Sequence, residues 1–232
     1  MDKKISIILS TYNEAPFIVQ TINEILNNIK NVEIILVDDS SSDGTLEKVK
    51  NIGNPNIKIF SRKFRGLASA FLLGLINSSG DIVGWVDSNM KSAATKLPEM
   101  IDQLNSNDVV LLSRYVEGGD DERDKLRSSA SRFLNWIYQL TLSKKIKDYT
   151  SGMFVMKREV LLTTIPNCFG HGEFFVEFIY KALKRGVKIH ELPFVHQADL
   201  IKRSKTAPNL FHFIYLGFHY IGVIFHARTR RN

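Results

Sequence analysis

Gly80-Asp81-Ile82-Val83-Gly84-Trp85-Val86-Asp87-Ser88-Asn89 is the stretch whose reading decides the fold. Residues 82–86 form a short apolar run closed on both sides by polar residues, the pattern of a central parallel strand buried on both faces. The run ends on a carboxylate. In open α/β sheets ligands bind beyond the carboxyl ends of the strands, so Asp87 stands where a ligand would sit. Asn89 comes two residues later and faces the same side if the chain stays extended. Two oxygen-bearing side chains at this spacing can hold a hard divalent cation that also touches a diphosphate. Read alone, the stretch also fits a strand followed by an Asp/Ser/Asn turn.

Outward from it, the N-terminal half alternates strands and helices. Residues 5–9, 32–37 and 57–60 are short apolar runs. Between them, Phe17, Ile18, Ile22, Ile25, Leu26 and Ile29 recur at helical spacing, and residues 45–49 and 66–76 read as two further helices. Pro16 suits a first helical turn. Short connections in this order indicate an α/β fold whose sheet is mainly parallel and covered by helices on both faces. Further on, helices are expected over residues 96–104, 126–142, 160–164 and 174–185. Strands are expected over 109–112, 154–156 and 187–192.

The 232 residues, 44% of them apolar, are enough for one large domain with a real core, or a domain plus a tail. Lys and Arg outnumber Asp and Glu, 31 to 24, for a formal charge of +7, which suits an anionic partner. Cys168 is the single cysteine, so no disulfide can form within the chain. The first residues enter a strand at once and read as no secretory signal. Neither a Gly-x-Gly-x-x-Gly nor a Walker-type loop is present, so dinucleotide and ATP readings lack their mechanical parts. Tyr12 and Asp39 follow the first two strands; a ring can stack a base and a carboxylate can accept from a base N–H. The run Asp38-Asp39-Ser40-Ser41-Ser42 is also a good helix cap.

Taken in order, Ser10-Thr11-Tyr12-Asn13-Glu14, Val37-Asp38-Asp39-Ser40-Ser41-Ser42-Asp43-Gly44-Thr45 and Gly80-Asp81…Asp87-Ser88-Asn89 resemble a family 2 glycosyltransferase of the GT-A fold. Gly66-Leu67-Ala68-Ser69-Ala70-Phe71, Ser113-Arg114-Tyr115-Val116-Glu117-Gly118-Gly119, the set Arg127, Ser131, Arg132 and Asn135, and Asp148-Tyr149-Thr150-Ser151-Gly152 narrow the likeness to the polyprenyl-phosphate (dolichol-phosphate) mannosyltransferases. The match runs to about Lys205.

The resemblance implies an inverting enzyme that moves a hexose, mannose or glucose, from a GDP- or UDP-linked donor to a polyprenyl phosphate. It assigns Thr11, Tyr12, Glu14, Asp39, Asp87, Ser88 and Lys205 to the donor, with Asp39 reading the base. Asp87 and Asn89 take the positions that hold Mg2+ or Mn2+. Arg114, Arg127 and Ser131 take the acceptor phosphate, and Asp87, Arg114 and Arg127 carry catalysis. The group has Asp-x-Asp followed by Gln where this chain has Asp87-Ser88-Asn89 and Lys91, so metal dependence is expected to be weaker, with Lys91 partly standing in for the cation. Phe154 stands where the group has an arginine, and Asp199 and Lys202 where an Arg and a Gly are usual.

Residues 210–225 are apolar and aromatic, interrupted by His212 and His219, then followed by Arg228, Arg230 and Arg231. A spanning helix needs about 20 mostly apolar residues. An interfacial helix at anionic headgroups or a helix packed on the domain both fit. The expected division is a glycosyltransferase domain over 1–205 and a helical tail over 206–232, peripheral on the cytoplasmic face of a membrane. A membrane-anchored partner protein or a homo-oligomer fits this placement; nucleic acid does not, because the aromatic residues of the tail lie in too apolar a context for base stacking. Two other functions remain open: transfer to a glycan or glycolipid hydroxyl, and a non-catalytic nucleotide-sugar-binding role.

Overall fold

The computed structural model describes residues 3–168, 170–197 and 210–229, with side chains given for these except 210–218 and 229. Strand β1 (Ile5–Thr11) leads to α1 (Ile18–Asn28), β2 (Val32–Asp38), α2 (Thr45–Lys50), β3 (Ile57–Ser61), α3 (Leu67–Ile76) and β4 (Ile82–Trp85). Then come α4 (Lys91–Ala94), α5 (Leu97–Gln103), β5 (Val109–Ser113), β6 (Asp120–Asp121), α6 (Lys125–Thr141) and β7 (Phe154–Lys157). The chain continues through α7 (Glu173–Lys184), β8 (Ile189–Pro193), β9 (Val195–His196) and α8 (Leu210–Thr229).

Seven strands form one sheet in the order β3-β2-β1-β4-β7-β5-β8. The quoted stretch is its middle strand: β4 pairs parallel with β1, Ile8 opposite Trp85, and antiparallel with β7, Trp85 opposite Phe154. β7 runs against both of its neighbours, which departs from an all-parallel alternation. Its amino end therefore lies at the edge where β1, β2, β4 and β5 end, and this brings the turn before it, residues 148–152, to that edge. Alternate residues of the buried strands feed two cores. Ile8, Ile35, Val83 and Trp85 pack under α3, α6, α7 and α8; Ile7, Leu9, Ile34 and Leu36 pack under α1, α2, α4 and α5. Phe154, where an arginine was expected, is fully buried and stacks on Phe175 at 5.3 Å, so an aromatic core replaces a charge there.

Two glycines in the stretch allow close approach. A Cβ on Gly84 would lie 2.6 Å from Ile7 Cδ1, and one on Gly80 would lie 2.7 Å from the Ser6 backbone N and 2.8 Å from the Lys4 carbonyl. Backbone cannot yield as a side chain tip can. Gly80→Ala is expected to cost about 1–3 kcal/mol, the usual range for overpacking, read as a lowered midpoint in urea melts.

Two smaller expectations are revised. The segment expected to be helical over 160–164 is a 3-10 turn, Arg158–Leu162, and the one-turn helix α4 was not foreseen because four residues carry no periodicity. The second half of α8 packs on the domain, with Val223, Ile224 and Ala227 buried and Tyr138 Oη donating to the Tyr220 carbonyl at 2.6 Å. No helix among the described residues is long and apolar enough to cross a membrane.

Candidate active site

The carboxyl ends of β2, β1 and β4 lie side by side. The loops after β1 and β2 are laced together: Asn13 N donates to Ser41 Oγ (2.8 Å), Ser42 N to Asn13 Oδ1 (2.9 Å), Glu14 N to Thr45 Oγ1 (2.9 Å) and Ala15 N to Asp43 Oδ2 (3.0 Å). Asn13 and Ser40 adopt left-handed backbone conformations to make these turns (φ 56° and 60°). Thr11 Oγ1 donates to Asp38 Oδ1 at 2.9 Å, which ties Thr11 to a fully buried carboxylate at the sheet edge.

Asp39 is a fastening point as well as a site residue. Arg62 clamps both its oxygens, and the Gly66 N–H donates to Oδ2 at 3.0 Å, which anchors the start of α3. A base N–H would share these oxygens. The Tyr12 ring is covered on one face by the Arg65 guanidinium, 3.7 Å from the ring centre. A stacked base would use the other face or displace Arg65.

Asp87 is half-buried just past β4, Ser88 is buried and Asn89 is exposed. Burial, then the negative charge of Glu14, pushes the Asp87 carboxyl up to about 6, while Arg123 and Arg114 pull it down. Charged residues from two other stretches of chain, the β1–α1 loop and the β5–α6 connection, thus act on Asp87 at this edge. The Lys91 ammonium, largely exposed, lies 3.5 Å from Glu24 of α1. Among the described residues no group of three or more His, Cys, Asp or Glu side chains is arranged to hold a metal. The donors offered by Asp87 and Asn89 are hard oxygens. They fit Mg2+ or Mn2+, which take one or two protein oxygens and complete their shells with phosphate and water.

Arg114 lies deeper than Arg127. It is only 4% exposed. Its Nε and Nη2 bond both oxygens of Asp148 at 2.8 Å, Nη2 also reaches Thr150 Oγ1 at 2.8 Å, and Nη1 lies 3.5 Å from Asp121. Burial alone would raise the Asp148 pKa, but Arg114 holds it below the usual carboxylate range. The guanidinium is therefore held in place by Asp148 and Thr150, at the inner side of α6.

What Arg114 positions is the inner face of α6. Ser131 Oγ and Thr150 Oγ1 share a hydrogen bond at 3.0 Å, and Asn135 Nδ2 donates to the same Thr150 oxygen at 2.8 Å. Arg127 lies one turn before Ser131 on the same helical face, less buried than Arg114 at 23% side-chain exposure, with its Nε 3.1 Å from Asp124. Three participants were absent from the sequence reading. Arg123 forks onto Asp121, both contacts at 2.7 Å. His196, brought beside this loop by the β6–β9 pair, is depressed to about 4 by burial and then by Arg123 and Arg114. Tyr220 of α8 packs its hydroxyl against Gly172, and burial followed by Glu173 raises its pKa, with Asp87 and both arginines within electrostatic reach. Lys205, with Asp199 and Lys202, lies outside the described residues.

An apparently similar cluster at the opposite edge is structural. Glu33 accepts from Ser6, Ser79 and Lys58 and, despite burial, stays well below the usual carboxylate range. The cleft beside it, lined by Lys4, Asn31 and Lys58, is at the amino ends of the strands, away from Asp87.

Known proteins are similar to this chain. Dolichol-phosphate mannosyltransferase of Pyrococcus furiosus is 32% identical over 199 residues, 82% of this chain and 56% of that protein. An undecaprenyl-phosphate 4-deoxy-4-formamido-L-arabinose transferase of Klebsiella pneumoniae is 24% identical over 84% of this chain and 60% of its own length. The chain thus spans a little over half the length of these relatives. Among solved structures, glucosyl-3-phosphoglycerate synthase of Mycobacterium tuberculosis, in complex with Mn2+, UDP and phosphoglyceric acid, superposes over the whole chain and 80% of its own with a TM-score of 0.76 at 18% identity, a likeness of fold. The family model of Glycosyl transferase family 2 matches residues 6–163, from β1 through β7, and so covers Glu14, Asp87, Arg114 and Arg123; the chain belongs to glycosyltransferase family 2.

Proposed function

We propose that this protein transfers a hexose from a nucleoside-diphosphate sugar to a polyprenyl phosphate with inversion at the anomeric carbon. The observation that carries the reading is the division of charge at one sheet edge, with Asp87 and Glu14 on one side and the arginines of the β5–α6 region on the other. The relatives named above for dolichol and undecaprenyl phosphate support the acceptor class.

In this reading Tyr12, Asp39 and Ser88 line the donor side, and Asp87 with Asn89 would hold a divalent cation. The cation, when bound, neutralises charge on the leaving diphosphate. Arg127 and Ser131 meet the acceptor phosphate, while Arg114 positions them through Thr150. A phosphate oxygen, already ionised near neutral pH, attacks the anomeric carbon from the face opposite the diphosphate. The new C–O bond forms as the bond to the diphosphate breaks, and the nucleoside diphosphate leaves. No general base is needed, so catalysis rests on positioning and charge neutralisation. Hydroxyl acceptors do need a base. Arginine clamps hold Asp121 and Asp148 below the usual carboxylate range, which makes them weak bases.

The test is purified protein with membrane lipid extract and a panel of radiolabelled nucleotide sugars, with and without EDTA. Label in a lipid-soluble product that needs polyprenyl phosphate supports the reading. Label only on hydroxyl acceptors, or nucleotide-sugar binding without transfer, overturns it. Since Lys91 is engaged by Glu24, the altered metal motif reduces to Asn89. Asn89→Asp alone is expected to tighten Mn2+ binding by calorimetry, and adding Lys91→Gln is expected to change it little.

A further inference from the structure

Helix α6 has two faces, and only one of them belongs to the site. The inner face carries Arg127, Ser131, Asn135 and Tyr138. A surface helix normally turns polar residues outward. Here the outward face carries Leu126, Phe133, Trp136 and Leu140, which are 62, 58, 57 and 55% exposed. Phe133 and Trp136 stack on each other at 5.9 Å, a rigid aromatic pair facing solvent. The neighbouring α8, joined to α6 by the Tyr138–Tyr220 bond, leaves Ile221 and Phe225 exposed as well, at 40 and 71%.

The charge along this helix and just beyond it has one sign. From Lys125 to Lys147 the chain contains Lys125, Arg127, Arg132, Lys144, Lys145 and Lys147 and no Asp or Glu. The three lysines beyond the helix are exposed. Of the acidic residues just before it, Asp120 pairs with Arg132, Asp124 with Arg127 and Asp121 with Arg123, while Glu122 is exposed. An apolar, aromatic helix face flanked by exposed lysines matches the depth profile of an anionic bilayer: rings at the acyl boundary and ammonium groups at the phosphates.

We propose that the outward face of α6, with Leu126, Phe133, Trp136 and Leu140, lies in the surface of an anionic lipid bilayer, and that the protein docks on membrane through it. This rests on the lipid-acceptor reading in one respect. It explains how one helix could meet a membrane with its outer face and a lipid phosphate with Arg127 and Ser131 on its inner face. The apolar stretch at residues 210–225 then plays a supporting part, since the described second half of α8 is largely used in packing on the domain.

The chain carries two tryptophans, and the other, Trp85, is 2% exposed in the core. Trp136 is thus a built-in reporter. Full-length protein is mixed with phosphatidylcholine vesicles, with and without phosphatidylglycerol and with brominated acyl chains. Binding that requires phosphatidylglycerol, weakens with salt and quenches Trp136 is expected. Phe133→Ser with Trp136→Ser should lower the partition coefficient about 10-fold or more, the loss expected when two large apolar anchors are removed. The same variant should keep full transfer to a short water-soluble acceptor phosphate. Trp136→Phe, a milder change, should bind normally and lose the quenching. Undiminished vesicle binding by the double variant overturns the docking face, as does binding without quenching. A dimer that the double variant converts to monomer also overturns it, in favour of a second copy as the occupant. Loss of transfer to the soluble acceptor by wild-type protein would instead count against the proposed reaction, independently of docking.

Discussion

Asp87→Asn is expected to end transfer and, at the same time, to make the protein more stable at neutral pH. Both effects have the same origin. The folded-state carboxyl is raised to about 6 from an ordinary value of 3.8 by burial and by Glu14. The folded protein therefore binds this proton more tightly than the unfolded chain does. Stability from this group is fully present below the unfolded value and is lost as pH rises through the folded one. Above pH 6 the ionised Asp87 is a cost that Asn removes, about 1–2 kcal/mol once its partial exposure is allowed for. For a domain of this size that is roughly 2–8 °C in melting temperature. At pH 4 wild type and variant should melt together. Transfer should fall by about 100-fold or more, as when a charge-stabilising group is lost from a reaction centre, and wild-type activity should climb as pH passes through 6. Calorimetry at pH 4 and pH 8, with the radiolabel assay, checks both parts. An Asp87→Asn protein that transfers normally, or melts no higher at pH 8, would show that the strain at this carboxylate is not functional.

That carboxylate was legible because a strand buried on both faces is written as a continuous apolar run, and its polar end marks the edge of the sheet. β1 to β4 and their loops could be read for this reason. β7 could be located but not oriented, since the alternation of four residues is the same in either direction. The fate of Arg114 was decided by Asp148, 34 positions on, and that of Lys91 by Glu24 in another helix. Arg123 and Tyr220 had no motif to announce them; they come within electrostatic reach of Asp87 only because the β5–α6 loop and α8 fold back over its edge. The apolar outer face of α6 was present in the sequence at helical spacing. Its exposure could not be read there, because periodicity reports that a helix has an apolar face and not whether anything covers it.

Arg114 and Arg127 were paired by sequence and are separated by structure, and their substitutions should fail in different ways. Arg114→Ala removes the partner of a fully buried Asp148. Breaking a buried pair from one side costs about 3–5 kcal/mol, because the remaining charge is left uncompensated. The variant should melt far lower, and Arg114→Lys should recover only part, since an ammonium cannot fork onto both carboxylate oxygens. Arg127 is partly exposed and its pair with Asp124 lies at the surface, worth about 0–1 kcal/mol. Arg127→Ala should therefore fold normally and bind nucleotide normally. If the acceptor is a phosphate, the loss falls on that ligand alone. A desolvated charge pair is worth about 2–5 kcal/mol, so the acceptor KM should rise or kcat fall by one to three orders of magnitude, more steeply for a phosphate than for any neutral acceptor. Steady-state kinetics with acceptor varied at saturating donor separates the two. Normal kinetics in a well-folded Arg127→Ala protein would move the acceptor away from the inner face of α6. The phosphate reading would then lose its residue, and a hydroxyl acceptor or a binding-only role would take its place.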